Sequence, residues 1–200
     1  MIFAVSKGSS GNVYLGKASL ESLPTFVFIE TPSFCLQTLK GPYSKMEIFK
    51  KSSEGKEVVN PCTGIVYKTI SVGHIQLNPP IEGRTLLSQN VRKEYKDPSD
   101  WMEIVAAMVN ELVPALIMEG QRIETIVTGK IISEHPIDLQ ALGFTVVNKQ
   151  GELEWYERSA CCKRASKPPV QNPARSALLA SLEDAHPDSA SEIKAPSGTK

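Results

Sequence analysis

The sequence predicts an α+β fold, and three observations carry that prediction. Short runs of β-forming residues, separated by turn chemistry, fill the first half. One long amphipathic helix, at about 98–119, occupies the middle. A strand, a short helix and a C-terminal β-hairpin follow before the regular spacing of apolar side chains stops near residue 158. The expected organisation is a single compact α+β domain over 1–158 and a disordered tail over 159–200.

The strand-like runs lie at 25–30, 34–39, 45–50, 56–59 and 64–77, with a shorter one at Val13, Tyr14 and Leu15. Ser52, Ser53, Glu54 and Gly55 suit a hairpin connection between the third and fourth runs. Within 64–77 the alternation of polar and apolar residues falters near Gly73, which predicts a bulge or bend.

The helix is the strongest local signal. Asp97 is placed to cap its first amides, Pro98 suits the first helical position, and Asp100 sets a carboxylate near the positive end of the helix dipole. Trp101, Ile104, Val105, Met108, Leu112 and Leu116 recur at helical spacing and so share one face. Glu103 and Glu111 are assigned to the solvated side. Pro114 has no N–H to donate to the Asn110 carbonyl, so a kink is expected there, and Gly120 is suited to end the helix.

Residues 122–132 then read as a strand with Ile123, Thr125, Val127 and Ile131 on one face and Arg122, Glu124, Thr128 and Lys130 on the other. A short helix opens at Pro136, runs through Leu142 and closes at Gly143. The runs 144–147 and 153–156 form a hairpin that turns through Asn148, Lys149, Gln150 and Gly151.

Composition narrows the function classes. The 22 basic and 22 acidic residues cancel, and setting aside residues 161–200 leaves 16 basic against 18 acidic, a balance that disfavours a nucleic-acid binder. No stretch of 18 consecutive apolar residues marks a transmembrane segment, and the first residues lack the pattern of a secretory signal. The cysteines Cys35, Cys62, Cys161 and Cys162 suggest no disulfide framework, because the last two are adjacent. A reducing, cytoplasmic location is expected, which for a viral protein means host cytoplasm or virion. Cys35 and Cys62 are expected to be buried small apolar groups.

Few motifs carry chemistry. Gly8, Ser9, Ser10 and Gly11 form either a plain hairpin turn or a backbone nest that holds an anion. With Asn12, the stretch resembles the opening of some metallo-β-lactamase-fold hydrolases. That family's His-x-His-x-Asp-His metal cluster has no counterpart, since His74, His135 and His186 are far apart in the sequence.

From Trp101 to Tyr156, the order of helix, strand, short helix, Leu142-Gly-Phe144 and two strands resembles the second half of the GNAT family of N-acetyltransferases. The resemblance implies an acyl-CoA-dependent transferase using acetyl-CoA. The family's Arg/Gln-x-x-Gly-x-Gly/Ala pyrophosphate turn is replaced by Lys96, Asp97, Pro98, Ser99 and Asp100, which puts two carboxylates where a pyrophosphate would sit. The short helix and terminal hairpin also resemble the closing portion of small matrix proteins of negative-strand RNA viruses, which implies a viral structural or accessory role. The chain lacks that group's basic N-terminal arm and its Pro-Pro-x-Tyr motif.

The tail carries the remaining candidates. Leu178, Leu179 and Leu182 line one ridge of a short helix at 176–184 suited to dock on a protein partner. Ser166 follows a basic pair in a kinase-type context, and Cys161 and Cys162 precede Lys163 and Arg164 as acceptors for a lipid chain. No catalytic, cofactor-binding or metal-ligating residue is assigned. The favoured expectation is a non-enzymatic interaction or assembly protein that meets protein partners through its domain surface and tail, needs no cofactor, and is open to oligomerisation. The alternative is an acyl-CoA-dependent N-acetyltransferase-like enzyme.

Overall fold

The computed structural model describes residues 2–8, 10–16, 24, 26–38, 45–91, 97–131 and 137–160. The chain divides into two units, Met1–Lys163 and Arg164–Lys200, and every described residue belongs to the first. The fold is α+β and strand-dominated. Its described strands are β1 (Ile2–Lys7), β2 (Asn12–Gly16), β3 (Val27–Glu30), β4 (Phe34–Thr38), β5 (Met46–Val59), β6 (Val66–Leu77), β7 (Arg84–Val91), β8 (Thr125–Ile131), β9 (Thr145–Gln150) and β10 (Leu153–Ser159). They form one sheet in the order β1-β2-β3-β4-β5-β6-β7-β8-β10-β9. Every neighbouring pair is antiparallel except β7 and β8, which run parallel.

The helix joins those two parallel strands. It runs as α1 (Pro98–Ala107), a π-helical turn (Met108–Leu112) and α2 (Val113–Met118). Asp97 caps it as expected, accepting a hydrogen bond from the Ser99 amide at 3.0 Å. All six residues of the predicted apolar stripe are fully buried. Fully burying one such side chain stabilises the fold by about 1.5–3 kcal/mol, so this stripe is the main tie between helix and sheet. By length and composition the helix is apolar enough to cross a membrane, and its packing against the sheet accounts for that character. The disruption expected at Pro114 takes the form of the wider turn, in which the Val113 amide donates to Met108 O, five residues back.

Side chains alternate across the sheet. Val13, Leu15, Val27, Ile29, Phe34, Leu36, Met46 and Ile48 meet the helix, while Tyr14, Phe28, Cys35 and Phe49 form a second buried cluster with Val58. Val58 reaches that cluster because β5 leaves its ladder after Lys51, where Lys51 and Lys56 both stand opposite Thr69. Residues 52–55 are therefore an excursion within one strand, not the expected hairpin connection. The turn lies instead at 60–65, closed by bonds from the Asn60 amide to Ile65 O and the Gly64 amide to Asn60 O, both 2.8 Å.

Three other expectations change. Residues 139–143 form hydrogen-bonded turns and no helix, with the Phe144 and Leu142 amides each donating to Leu139 O at 3.1 Å. Thr128 is fully buried rather than part of a polar face, because β8 is an interior strand. Its neighbour Lys130 extends to donate to Ile137 O at 2.7 Å. The terminal hairpin turns two residues later than expected, with Leu153 opposite Gln150 and Gly151 at positive φ.

The irregularity foreseen near Gly73 is present, since β6 spends an extra residue between the partners of Ile48 and Phe49. A Cβ on Gly73 would stand 2.5 Å from Asn90 O and 3.3 Å from the Trp101 ring. Gly73→Ala is therefore expected to lower stability by about 1–3 kcal/mol through overpacking, read as an earlier midpoint in urea unfolding followed by tryptophan fluorescence.

Candidate functional site

Three polar features stand out, and the first is the junction of β7 with β8. The described pairing ends at Leu86 opposite Val127, although β7 continues to Val91 and β8 to Ile131. Beyond that point β7 keeps β6 as its partner and β8 keeps β10, and among the described residues no further pairing joins β7 to β8. Below that point the junction is held tightly. Arg84 forms an ion pair with Glu157 across β8, and the Glu124 and Thr125 amides donate to Gly83 O at 2.7 and 3.1 Å.

The helix start lies on the same side of the sheet as Leu87, and Trp101 packs over Gly73, which stands opposite Val91. Among the described residues, the buried atoms Gln89 Oε1 and Trp101 Nε1 make no hydrogen bond. One is an acceptor and the other a donor. Both carboxylates at the helix start are engaged. Asp97 is held below the ordinary carboxylate range by its bonds from the Ser99 hydroxyl and amide, and Asp100 pairs with Lys50 at 2.7 Å. The chain between β7 and the helix, residues 92–96, lies outside the described residues.

The second feature is the 8–11 turn. It joins β1 to β2 as a hairpin, with the Gly8 amide donating to Gly11 O at 2.9 Å. The anion it faces is internal: the Glu111 carboxylate lies against Gly8, and its Oε1 accepts from the Ser10 amide at 3.4 Å. Glu111 is therefore buried and not on the solvated face assigned to it. Glu103 likewise turns inward, accepting from the Ser33 amide at 3.0 Å.

The third feature is a polar cluster at the end of β3. Glu30 accepts from the Tyr67 hydroxyl at 2.6 Å, from Asn60 Nδ2 at 2.9 Å and from Lys51 Nζ at 3.4 Å. Asn60 is fully buried, and its Oδ1 also accepts from the Cys62 and Thr63 amides, so one side chain both shapes the 60–65 turn and ties it to Glu30. The outer half of the β5–β6 hairpin is thereby pinned over Phe28, Cys35 and Phe49. Burial pushes the Glu30 carboxyl up, but the bonds from Tyr67 and Asn60 and the charge of Lys51 outweigh it and hold the group below its ordinary value. The Cys35 thiol is pushed up to about 11 by the same burial, which leaves it protonated and unreactive at neutral pH.

Leu178, Leu179, Leu182, Ser166, Cys161 and Cys162 lie outside the described residues, as do His135 and His186. His74 sits half-buried on β6 between Glu47 and Asn90. Cys35 is buried as expected, whereas Cys62 is exposed at the hairpin turn. Glu30 had no mark in the sequence: it closes an apolar strand, and its partners lie 21 to 37 residues away. Among the described residues no group of three or more His, Cys, Asp or Glu is placed to hold a metal ion.

The Glu30 cluster makes a pH-dependent contribution. Because its folded pKa is depressed, the contribution is present above the unfolded value of 4.5 and is lost as pH falls through the lower folded value. Glu30→Ala is expected to cost about 2 kcal/mol at pH 7 and much less at pH 3, measured by urea unfolding of both proteins at each pH. Compared with known proteins, the chain matches no family model and no curated sequence.

Proposed function

We propose that this protein is an acyl-CoA-dependent N-acetyltransferase-like enzyme that binds its thioester at the junction between β7 and β8. The observation that carries this reading is that two parallel strands in mid-sheet have no described pairing beyond Leu86 and Val127. Ligands in open α/β sheets bind outside the carboxyl ends of parallel strands, and the pairing of β7 with β8 ends on that side. An extended ligand there would lie along the facing edges of both strands. Backbone N–H groups so placed also suit the oxygen of a thioester carbonyl as an amine attacks it.

The element order supports the same reading. The resemblance to acetyltransferases rests on a helix, a strand, a short helix, Leu142-Gly-Phe144 and two closing strands; the short helix is replaced by turns at 139–143, while the sheet adds a parallel crossover with β10 inserted between β8 and β9. The two carboxylates that spoke against a pyrophosphate are engaged by Ser99 and Lys50, and the preceding sequence carries Arg92, Lys93 and Lys96.

A second reading, an interaction or assembly protein, is favoured by a different observation. Val59, Ile65, Val66 and Ile70 are each about half exposed on the outer face of the β5–β6 hairpin. The two readings separate in one measurement. Thermal unfolding with acetyl-CoA at a hundredfold its dissociation constant is expected to show about 2.7 kcal/mol of stabilisation, a rise of roughly 5–10 °C. No shift with millimolar acetyl-CoA or CoA removes the enzyme reading and leaves the assembly reading.

A further inference from the structure

Pairing in the outer half of the hairpin sets Glu57 opposite Lys68 and Val59 opposite Val66. Partners in register share a face, so these four and Ile70 look outward, away from the face that carries Val58, Tyr67 and Thr69. Glu57 and Lys68 are exposed, as are Val59, Val66 and Ile70. The ribbon itself is firmly placed, because its inner face is pinned by Asn60 and Tyr67 to Glu30 and by Thr69 Oγ1 to Lys56 O at 2.9 Å. A rigid, half-apolar face of this kind is a surface on which a partner can pack without an ordering cost.

We infer that the partner is a second copy of this chain, packed ribbon to ribbon about a two-fold axis that runs along the hairpin between β5 and β6. Such an axis exchanges the two strands while preserving position along them. It lays Glu57 of each copy over Lys68 of the other and Val59 of each over Val66 of the other. The face is thus complementary to itself in both charge and apolarity, which is the requirement of an isologous interface. An acidic or basic partner would match only one of the two charges, and a wholly apolar one would leave both desolvated and unpaired. Two ribbons stacked at the usual sheet spacing of about 10 Å bury roughly 800 Å² in total, the low end of specific interfaces, so the dimer is expected to assemble at micromolar and higher concentration.

The test is sedimentation velocity of the full chain from about 1 to 500 μM, with the charge-reversal variants E57K and K68E alone and in equimolar mixture. The wild type is expected to shift from monomer to dimer across the range. Each variant alone sets like charges against each other and is expected to stay monomeric; because Glu57 and Lys68 are also cross-strand partners within one copy, each variant lowers the melting temperature slightly, and circular dichroism checks that it remains folded. In the mixture, a copy carrying E57K presents two positive charges to the two negative charges of a copy carrying K68E, and dimer is expected to return. A wild type that stays monomeric throughout overturns the inference. So does a dimer that either variant leaves intact, or a mixture that fails to recover it. Acetyl-CoA binding has no part in the readout, so failure here leaves the enzymatic reading standing.

Discussion

Two parallel strands that lie side by side cannot be joined by a tight turn; the chain must leave the sheet and return at the far end. At β7 and β8 that requirement organises the molecule. The return path is the interrupted helix, and the apolar stripe that lets it cross the sheet also packs on Val13, Leu15, Val27, Ile29, Phe34, Leu36, Met46, Ile48, Val72, Ile75 and Leu87. The helix must deliver the chain at the level of Gly83, where the Glu124 and Thr125 amides close onto a single carbonyl. Arg84 and Glu157 then clamp β7 to β10 over β8.

The opposite face is covered by different means. No described helix lies on it; β5 and β6 extend past the turn between β3 and β4, and the excursion at 52–55 lets the hairpin bend back over the aromatic cluster. Gly55, at positive φ and with no room for a Cβ beside Thr69 O, is the residue that permits the bend. Folding the hairpin over removes Glu30 from water, and the structure meets that cost by directing Tyr67, Asn60 and Lys51 onto it. The same arrangement turns the hairpin's other face outward, which is why half-exposed valine and isoleucine side chains collect there.

Legibility in the sequence followed the range of the interactions involved. The helix was readable down to its cap and its six buried residues because every signal lay within a few positions. The 8–11 turn, the irregularity at Gly73 and the strands at 27–30 and 34–38 were readable for the same reason. β7 was missed: Arg84 to Val91 has little alternation, since it is flanked on both sides and packs on the helix through alternate residues of mixed polarity. Glu111 was misplaced because helical periodicity assigns a carboxylate to water, whereas the β1–β2 turn brings backbone amides to meet it from 101 residues away. Of the candidate site, the helix and β8 were visible, but β7 and its pairing with β8 were not, because which strands pair, and for how many residues, is defined only in the assembled sheet.

By itself, then, the sequence determined the long helix, where it begins and that its apolar stripe is buried, together with several of the strand-forming runs, because hydrophobic period and capping act between near neighbours. Tertiary structure alone decided that β8 lies parallel to β7, that their described pairing ends at Leu86, and that Glu30 and Glu111 are enclosed by distant donors. Those outcomes depend on which surfaces can be buried together. A buried carboxylate is stable only where groups remote in the chain converge on it, and no local pattern encodes that convergence.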